Sequence, residues 1–478
     1  MTGRRSLLPL LGFAAAGTIL FRRLGSSSLR NWDEATYAQV AREMIQGGDW
    51  LTFHYEWQPW LEKPPLYLWS VAASFHLFGI SELSARIIAA TAGMALVLLA
   101  FRIAELLYDR TTAILAVAIL LTTTMFVLQA RSVMLDTPLT LCIYLAVYGY
   151  LRAERGSERW WYLTGVALGL GVLVKGAAVV VAPVAIGLAA LVDRRATAAL
   201  KSRPMWGAAA IMVLIALPWH LVMYLRHGEA FLDVYLRRHV MQRVAQEIVV
   251  NGGGPWYYLE QLLEWCSPWV YLFPAAVLVE IDALRRRRHS SVLLCLAAVV
   301  LLLFSAAHTR IWWYVVPATP ALAILTGAAL AAAWRLPISG RWRHAVRAAL
   351  AAMILAFVAI GLQRIRLLQR SWIFPEAALG TIAHSTGSAD RDLIIAYTGV
   401  SSPTLMYYSE RPVREMWSFD GLPKLLRAGC GRRIVLRARD TSRLVAAYDL
   451  RVLAQEADLA YGTIAPRAGT RAAAPCGP

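Results

Sequence analysis

Asp33 and Glu34 stand side by side in the run Asn31-Trp32-Asp33-Glu34-Ala35-Thr36-Tyr37, just after the first apolar segment. Carboxylates so placed suit proton abstraction from an acceptor. A local role competes with that reading. Asn31-x-x-Glu34 has the spacing of a capping box, and acids in a first helical turn complement its dipole. The run Glu62-Lys63-Pro64-Pro65-Leu66 sets a carboxylate and an ammonium before two prolines, which stiffen the turn and hold the preceding residues extended. Arg131-Ser132-Val133-Met134-Leu135-Asp136-Thr137-Pro138 joins a cation and a carboxylate at a break between apolar segments. Tyr235 to Arg243 carries Arg237, Arg238, His239 and Arg243, and Pro218-Trp219-His220 precedes it. His308-Thr309-Arg310-Ile311-Trp312-Trp313-Tyr314 completes the set. Singly, these read as surface ion pairs or interfacial anchors. Together they place carboxylates and cations beside apolar segments, where charge is costly and retained for function. Cations beside a membrane suit a phosphate carried on a lipid.

The elements that must position these groups are membrane helices. The chain has 478 residues, 58% hydrophobic and 16% charged, with mean hydropathy +0.51. Soluble domains carry about a quarter charged residues. Coarse apolar runs predict about eleven spans between Leu7 and Leu362, among them Ala113–Leu128, Trp161–Val174 and Ala177–Val192, several of them shorter than the roughly 20 residues a perpendicular helix needs. The net charge of +18 is distributed by topology. Basic clusters at Arg4-Arg5, Arg110, Arg152 to Arg159, Arg194 to Arg203, Arg285 to Arg288 and Arg335 to Arg347 alternate with loops holding the acids and aromatics. Short basic loops stay cytoplasmic, so the N-terminus is expected inside. The first run is read as a retained span, not a signal peptide.

The first outer loop, Arg22 to Ser81, is too long and aromatic for a plain connector. It holds Trp32, Trp50, Trp57, Trp60 and Trp69, rings that favour the headgroup level. It reads as interfacial helices forming a shelf at a membrane surface. Residues 1–363 are expected to form the membrane domain and 364–465 a small outer α/β domain. Strand-like runs at Leu393–Tyr397 and Arg433–Leu436 there alternate with helical stretches such as Pro375–Ala383. Residues 466–478 read as a disordered tail. Cys142 and Cys295 fall in spans, and Cys430 and Cys476 are open to one outer disulfide. No C-x-x-C pair, G-x-S-x-G or G-x-x-x-x-G-K-[ST] motif is present, which argues against a zinc finger, a serine nucleophile and a P-loop nucleotide site.

Asp33-Glu34-x-x-Tyr37, Glu62-Lys63-Pro64-Pro65-Leu66, Arg131-x-x-Met134-Leu135-Asp136, Tyr235 to Arg243 followed by Gly254-Pro255-Trp256-Tyr257-Tyr258, and Trp312 to Pro320 resemble polyprenyl-phosphate-sugar glycosyltransferases of the GT-C type. The branch it looks most like is that of the bacterial aminoarabinose transferases that modify lipid A, related to protein O-mannosyltransferases. Ser402 to Val413 resembles the outer domain of that branch, and Thr36 stands where an arginine is common in it. The resemblance implies an undecaprenyl-phosphate-linked donor, no nucleotide, and inverting transfer on the periplasmic side of the bacterial inner membrane. The acceptor would be lipid A, another glycolipid or a protein. It implies Asp33 as general base, or as the residue that orients the acceptor, beside Glu34, Asp136 as a supporting acid, and Lys63, Arg131 and Arg243 at the donor phosphate. Tyr37 would line the donor cavity, and Glu62 and His239 would hold a zinc-like divalent metal. The alternative is a transporter or flippase of a lipid-linked solute, for which Lys175, between two apolar runs, is the best feature.

Overall fold

The computed structural model describes residues 8–30, 32–242, 254, 256–286, 290–370, 372–386, 393–397, 400, 402–416, 422–427 and 433–466. In chain order the first elements are α1 (Leu8–Phe21), α2 (Asp33–Gly47), a hairpin of β1 (Phe53–Tyr55) and β2 (Gln58–Trp60), and α3 (Pro65–Phe78). Then follow α4 (Glu82–Leu107), α5 (Arg110–Leu121), α6 (Thr124–Ala130), α7 (Asp136–Arg155), α8 (Trp160–Lys175) and α9 (Val181–Val192). The chain divides into two compact units.

The first unit comprises Met1–Leu24, Leu61–Ser70 and Arg86–Arg370. It is helical. By length and apolar composition, five helices among the described residues can cross a membrane, or seven if each of two bent pairs counts as one span. Two shorter apolar helices, Leu10–Phe21 and Val292–Ala306, accompany them. The eleven expected runs map onto fewer continuous spans. Trp161–Val174 and Ala177–Val192 merge into one 33-residue segment, Trp160–Val192, through a 3₁₀ stretch at Gly176–Val180. The run Ala113–Leu128 is instead two helices, α5 and α6, bent by 70°. Thr122 and Thr123 make that bend. Their hydroxyls bond back to the Ala118 and Ile119 carbonyls at 2.6 and 2.8 Å, a competition with the helical ladder that ends or bends helices. Trp269 donates Nε1–H to the Thr122 hydroxyl at 2.9 Å and fixes the break. At the other end of α5, Asp109 accepts from Thr112 N–H at 2.8 Å, an N-cap worth about 1 kcal/mol.

One end of this bundle gathers the basic loops. Asp109 meets Arg335 at 2.6 Å, Arg155 donates to the Leu106 carbonyl, Glu154 pairs with Arg195 at 3.1 Å, and Asp193 accepts from Ser290 at 2.9 Å. These contacts link the loops around residues 106–110, 154–155, 193–195, 290 and 335, so the basic loops that they join share one face, as the alternation in the sequence requires.

The second unit comprises Gly25–Trp60, Val71–Ala85 and Ser371–Pro478. Most of the long segment between the first two apolar runs, Gly25–Trp60 and Val71–Ala85, therefore folds with the C-terminal part, which the sequence did not reveal. Tyr408 donates its O–H to Glu82 at 2.7 Å and accepts from Leu29 N–H at 2.8 Å. Arg42 of α2, buried, donates to the Tyr407 carbonyl, lies 4.0 Å over the Tyr407 ring and approaches Glu410 at 3.8 Å. Ser28 accepts from Phe374 N–H at 2.9 Å. The core is a five-stranded sheet ordered β4-β3-β5-β7-β6, built from β3 (Ile394–Tyr397), β4 (Val413–Met416), β5 (Arg433–Arg437), β6 (Tyr448–Glu456) and β7 (Leu459–Pro466). Strand β3 runs parallel to β4 and β5, whereas β7 is antiparallel to β5 and β6. Alternation along β3 sends Ile394 and Ala396 to one apolar layer with Leu379 and Leu405, and Ile395 and Tyr397 to another with Leu422 and Leu444. The α/β expectation thus holds for the described residues, with β6 and β7 added. Cys430 and Cys476 lie outside the described residues.

Candidate active site

Within the second unit, α2 starts at Asp33. Trp32 precedes it with φ 66°, an uncommon conformation for a non-glycine residue. Glu34 is buried, 3% exposed, and its carboxylate accepts from Arg30 N–H at 2.7 Å. That is the backward reach of a capping carboxylate, displaced one residue from the expected Asn31, which lies outside the described residues. The geometry therefore assigns Glu34, grouped with Asp33 on sequence, to the start of the helix. Asp33 differs. It is half-buried and has no hydrogen bond or ion pair with any described residue. Its carboxylate sits in the first turn, where the helix dipole favours negative charge. Tyr37, one turn on, is buried edge-on against Trp60 with ring centroids 6.2 Å apart.

The hairpin behind α2 is anchored by Glu43. Its carboxylate accepts from Glu56 N–H at 3.1 Å, Trp57 N–H at 2.9 Å and Gln39 Nε2 at 2.8 Å. Glu56 and Trp57 have φ of 56° and 60°, the two-residue turn that fits a hairpin's twist. Burial first, and then the carboxylates of Glu43 and Glu415, push the Glu56 pKa above the ordinary carboxylate range, with Arg414 opposing.

Within the first unit, Glu62 and Lys63 precede α3, which opens on Pro65, a residue suited to the first helical position. Lys63 Nζ is 3.9 Å from Glu62 Oε2, and its side chain is 13% exposed against 35% for Glu62. Arg131, at the end of α6, has three donors committed to the C-terminal end of α1. Nη1 donates to the Ile19 and Leu20 carbonyls at 2.9 and 2.8 Å, and Nη2 donates to the Arg22 carbonyl at 3.0 Å. A cation at a helix C-terminus satisfies orphan carbonyls and suits the dipole. The phosphate role expected for Arg131 thus competes with a clamp on α1.

Asp136 opens α7 and is 2% exposed. Its Oδ1 accepts from Lys175 Nζ at 2.6 Å. Lys175 ends α8, 5.0 Å from the Tyr314 ring centroid. Helix polarity favours both charges, an acid in a first turn and a cation in a last turn. Past Lys175 the chain breaks at Gly176, with φ 59°. Tyr235 lies against this break on a π-helix, Leu232–Gln242. His239 belongs to the same helix, but its side chain and all of Arg243 lie outside the described residues. Among the described residues no three His, Cys, Asp or Glu side chains gather to hold a metal.

A helical unit accompanied by an α/β unit is a fold also found in solved glycosyltransferase structures. The crystal structure of ArnT from Cupriavidus metallidurans bound to undecaprenyl phosphate matches with TM-score 0.74 at 20% identity, over 95% of this chain and 97% of that one. An Archaeoglobus fulgidus oligosaccharyltransferase matches with TM-score 0.62 at 10% identity, over 92% of this chain and 70% of that one. Residues 18–230 match the family described as dolichyl-phosphate-mannose-protein mannosyltransferase. The chain is also similar to undecaprenyl phosphate-alpha-4-amino-4-deoxy-L-arabinose arabinosyl transferases. With that of Pseudomonas fluorescens it shares 30% identity over 282 residues, 57% of this chain and 50% of the relative. With that of Pseudomonas aeruginosa it shares 30% over 341 residues, 70% of this chain and 61% of the relative. The chain thus spans about half the length of the first such relatives it matches. The resemblance read from the motifs is borne out.

Proposed function

We propose that this chain is an inverting glycosyltransferase using an undecaprenyl-phosphate-linked sugar, with lipid A as the first acceptor to test and other envelope lipids or proteins as alternatives. The observation that carries the proposal is Asp33, a carboxylate that no described residue engages, inside the segment 18–230 that matches the dolichyl-phosphate-mannose-protein mannosyltransferase family. Asp33 takes the proton from the acceptor as its oxygen or nitrogen attacks the anomeric carbon. The bond from that carbon to the phosphate oxygen breaks on the opposite face, and the phosphate leaves with the electron pair. Lys63 stabilises that developing charge, with Arg243 as its partner from the later loop. Asp136, paired with Lys175, is the supporting acid. Arg131 contributes by holding the end of α1. Glu62 and His239 are the pair that would hold a zinc-like cation. Two protein ligands leave its shell incomplete, so no step runs through it.

The connected basic end of the bundle supports a cytoplasmic N-terminus and an active site on the periplasmic side. The transporter alternative rested on Lys175, whose ammonium is accounted for by Asp136. The direct test is purified protein in detergent with undecaprenyl-phosphate aminoarabinose and lipid A. Mass spectrometry should show lipid A gaining one sugar. A folded protein that transfers no sugar, yet moves lipid-linked solute in vesicles, would favour the transporter.

A further inference from the structure

Past Lys175 the main chain turns sharply at Gly176, with φ 59° and ψ −132°. A Cβ there would lie 2.6 Å from the Tyr235 hydroxyl oxygen, so only glycine fits both the backbone and the neighbour. Tyr235 is itself fixed. Its ring stacks on Phe231, with centroids 5.0 Å apart and planes at 13°, and meets the Trp219 edge at 6.3 Å. Its oxygen is 2.9 Å from His220 Nε2. On the other side of the imidazole, Nδ1 is 2.8 Å from the Ala216 carbonyl, which can only accept. The proton therefore sits on Nδ1, and in the neutral ring Nε2 accepts from Tyr235 O–H. His220 follows Pro218 in the helix Arg203–His227. A proline there removes one ladder bond and locally weakens the helix.

We propose that His220 and Tyr235 are positioning residues. Their hydrogen bond holds the π-helix Leu232–Gln242 against the Gly176 turn and so fixes where Lys175 meets Asp136. Three points support this. The pair has a single consistent tautomer. The Tyr235 hydroxyl occupies the space a side chain at position 176 would need. Lys175, one residue before that turn, carries the 2.6 Å ion pair to Asp136. A π-helix is an uncommon conformation, found chiefly as short stretches at functional sites, and it needs tertiary support. The catalytic half of the inference rests on the sugar-transfer reading above. The structural half does not.

The test compares wild type with Tyr235→Phe, His220→Ala and His220→Gln, because glutamine can keep an acceptor near the Nε2 position. The first readout is amide hydrogen exchange, needing no substrate. Tyr235→Phe and His220→Ala should speed exchange in 176–180 and 232–242 by about tenfold, roughly the value of one lost hydrogen bond. Exchange in α4 should stay unchanged, and His220→Gln should recover most of the protection. The second readout is transfer from undecaprenyl-phosphate aminoarabinose to lipid A. There kcat should fall about tenfold with donor KM within about twofold. Unchanged exchange in both segments would overturn the proposal. So would a loosening that extends to α4, which marks general destabilisation, or faster exchange with unchanged kcat. If wild type transfers no sugar, the function proposed above fails. The exchange data then still decide whether this pair holds the turn.

Discussion

Lys175 Nζ lies 2.6 Å from Asp136 Oδ1, joining the last residue of α8 to the first residue of α7. Asp136 is 2% exposed, so the pair is shielded from the solvent screening that weakens a surface ion pair.

Removing one partner of a buried pair leaves an uncompensated charge, at a cost of roughly 3 kcal/mol or more. Lys175→Met is therefore expected to lower the melting temperature in detergent markedly. The double variant Lys175→Met/Asp136→Leu should recover much of the loss, since an apolar replacement of both partners is often neutral. Thermal unfolding of the four proteins in a double-mutant cycle measures the coupling. A single variant as stable as wild type would show that the pair is not held in the folded protein.

Lys63 and Arg131 should behave oppositely, although both were read from sequence as phosphate ligands. Lys63→Ala is expected to raise donor KM by about tenfold or more while stability changes by less than about 1 kcal/mol. Arg131→Ala should cost about 2 kcal/mol of stability, because carbonyls at the end of α1 lose their donors, with donor KM within about twofold. Steady-state kinetics beside thermal unfolding separates the two. A tenfold KM rise in a fully stable Arg131→Ala protein would restore the phosphate role.

Glu56 has its folded-state pKa raised by burial and by the Glu43 and Glu415 carboxylates. A raised pKa means that the favourable contribution is complete below the unfolded-state value and is lost as pH rises through the folded-state value. Ionised Glu56 therefore disfavours the fold at neutral pH. Glu56→Gln is expected to melt higher than wild type at pH 7, with the difference vanishing as the buffer falls below the ordinary carboxylate range near pH 4. Melting curves across that window check the sign. A lower melting temperature for the variant at pH 7 would contradict it.

The helical membrane class, the C-terminal α/β part and β3 and β5 were legible because hydropathy and apolar runs are local signals. The strand Ile394–Tyr397 and the helix Pro375–Ser385 fall within a residue or two of their expected bounds. The number of spans was not legible, because a break such as Thr122-Thr123 and a continuation such as Gly176–Val180 interrupt apolar runs in similar ways. The partnership of Lys175 with Asp136 joins residues 39 apart. From sequence Lys175 looked like a lone intramembrane charge, the mark of a transporter. The commitment of Arg131 to α1 and the ties of Tyr408 to Glu82 and Leu29 are likewise long-range, and no spacing announces them. Strand β6 escaped notice because its sequence, Tyr-Asp-Leu-Arg-Val-Leu-Ala-Gln-Glu, is largely exposed at a sheet edge and mixes charges with apolar residues.

The most direct measurement is sugar transfer by Asp33→Asn, a substitution that keeps the side chain's size and removes its basicity. The variant should fold and bind undecaprenyl phosphate like wild type, while its turnover falls by about a thousandfold. An Asp33→Asn protein that glycosylates lipid A at the wild-type rate would contradict the role given to this carboxylate and, with it, the proposed reaction.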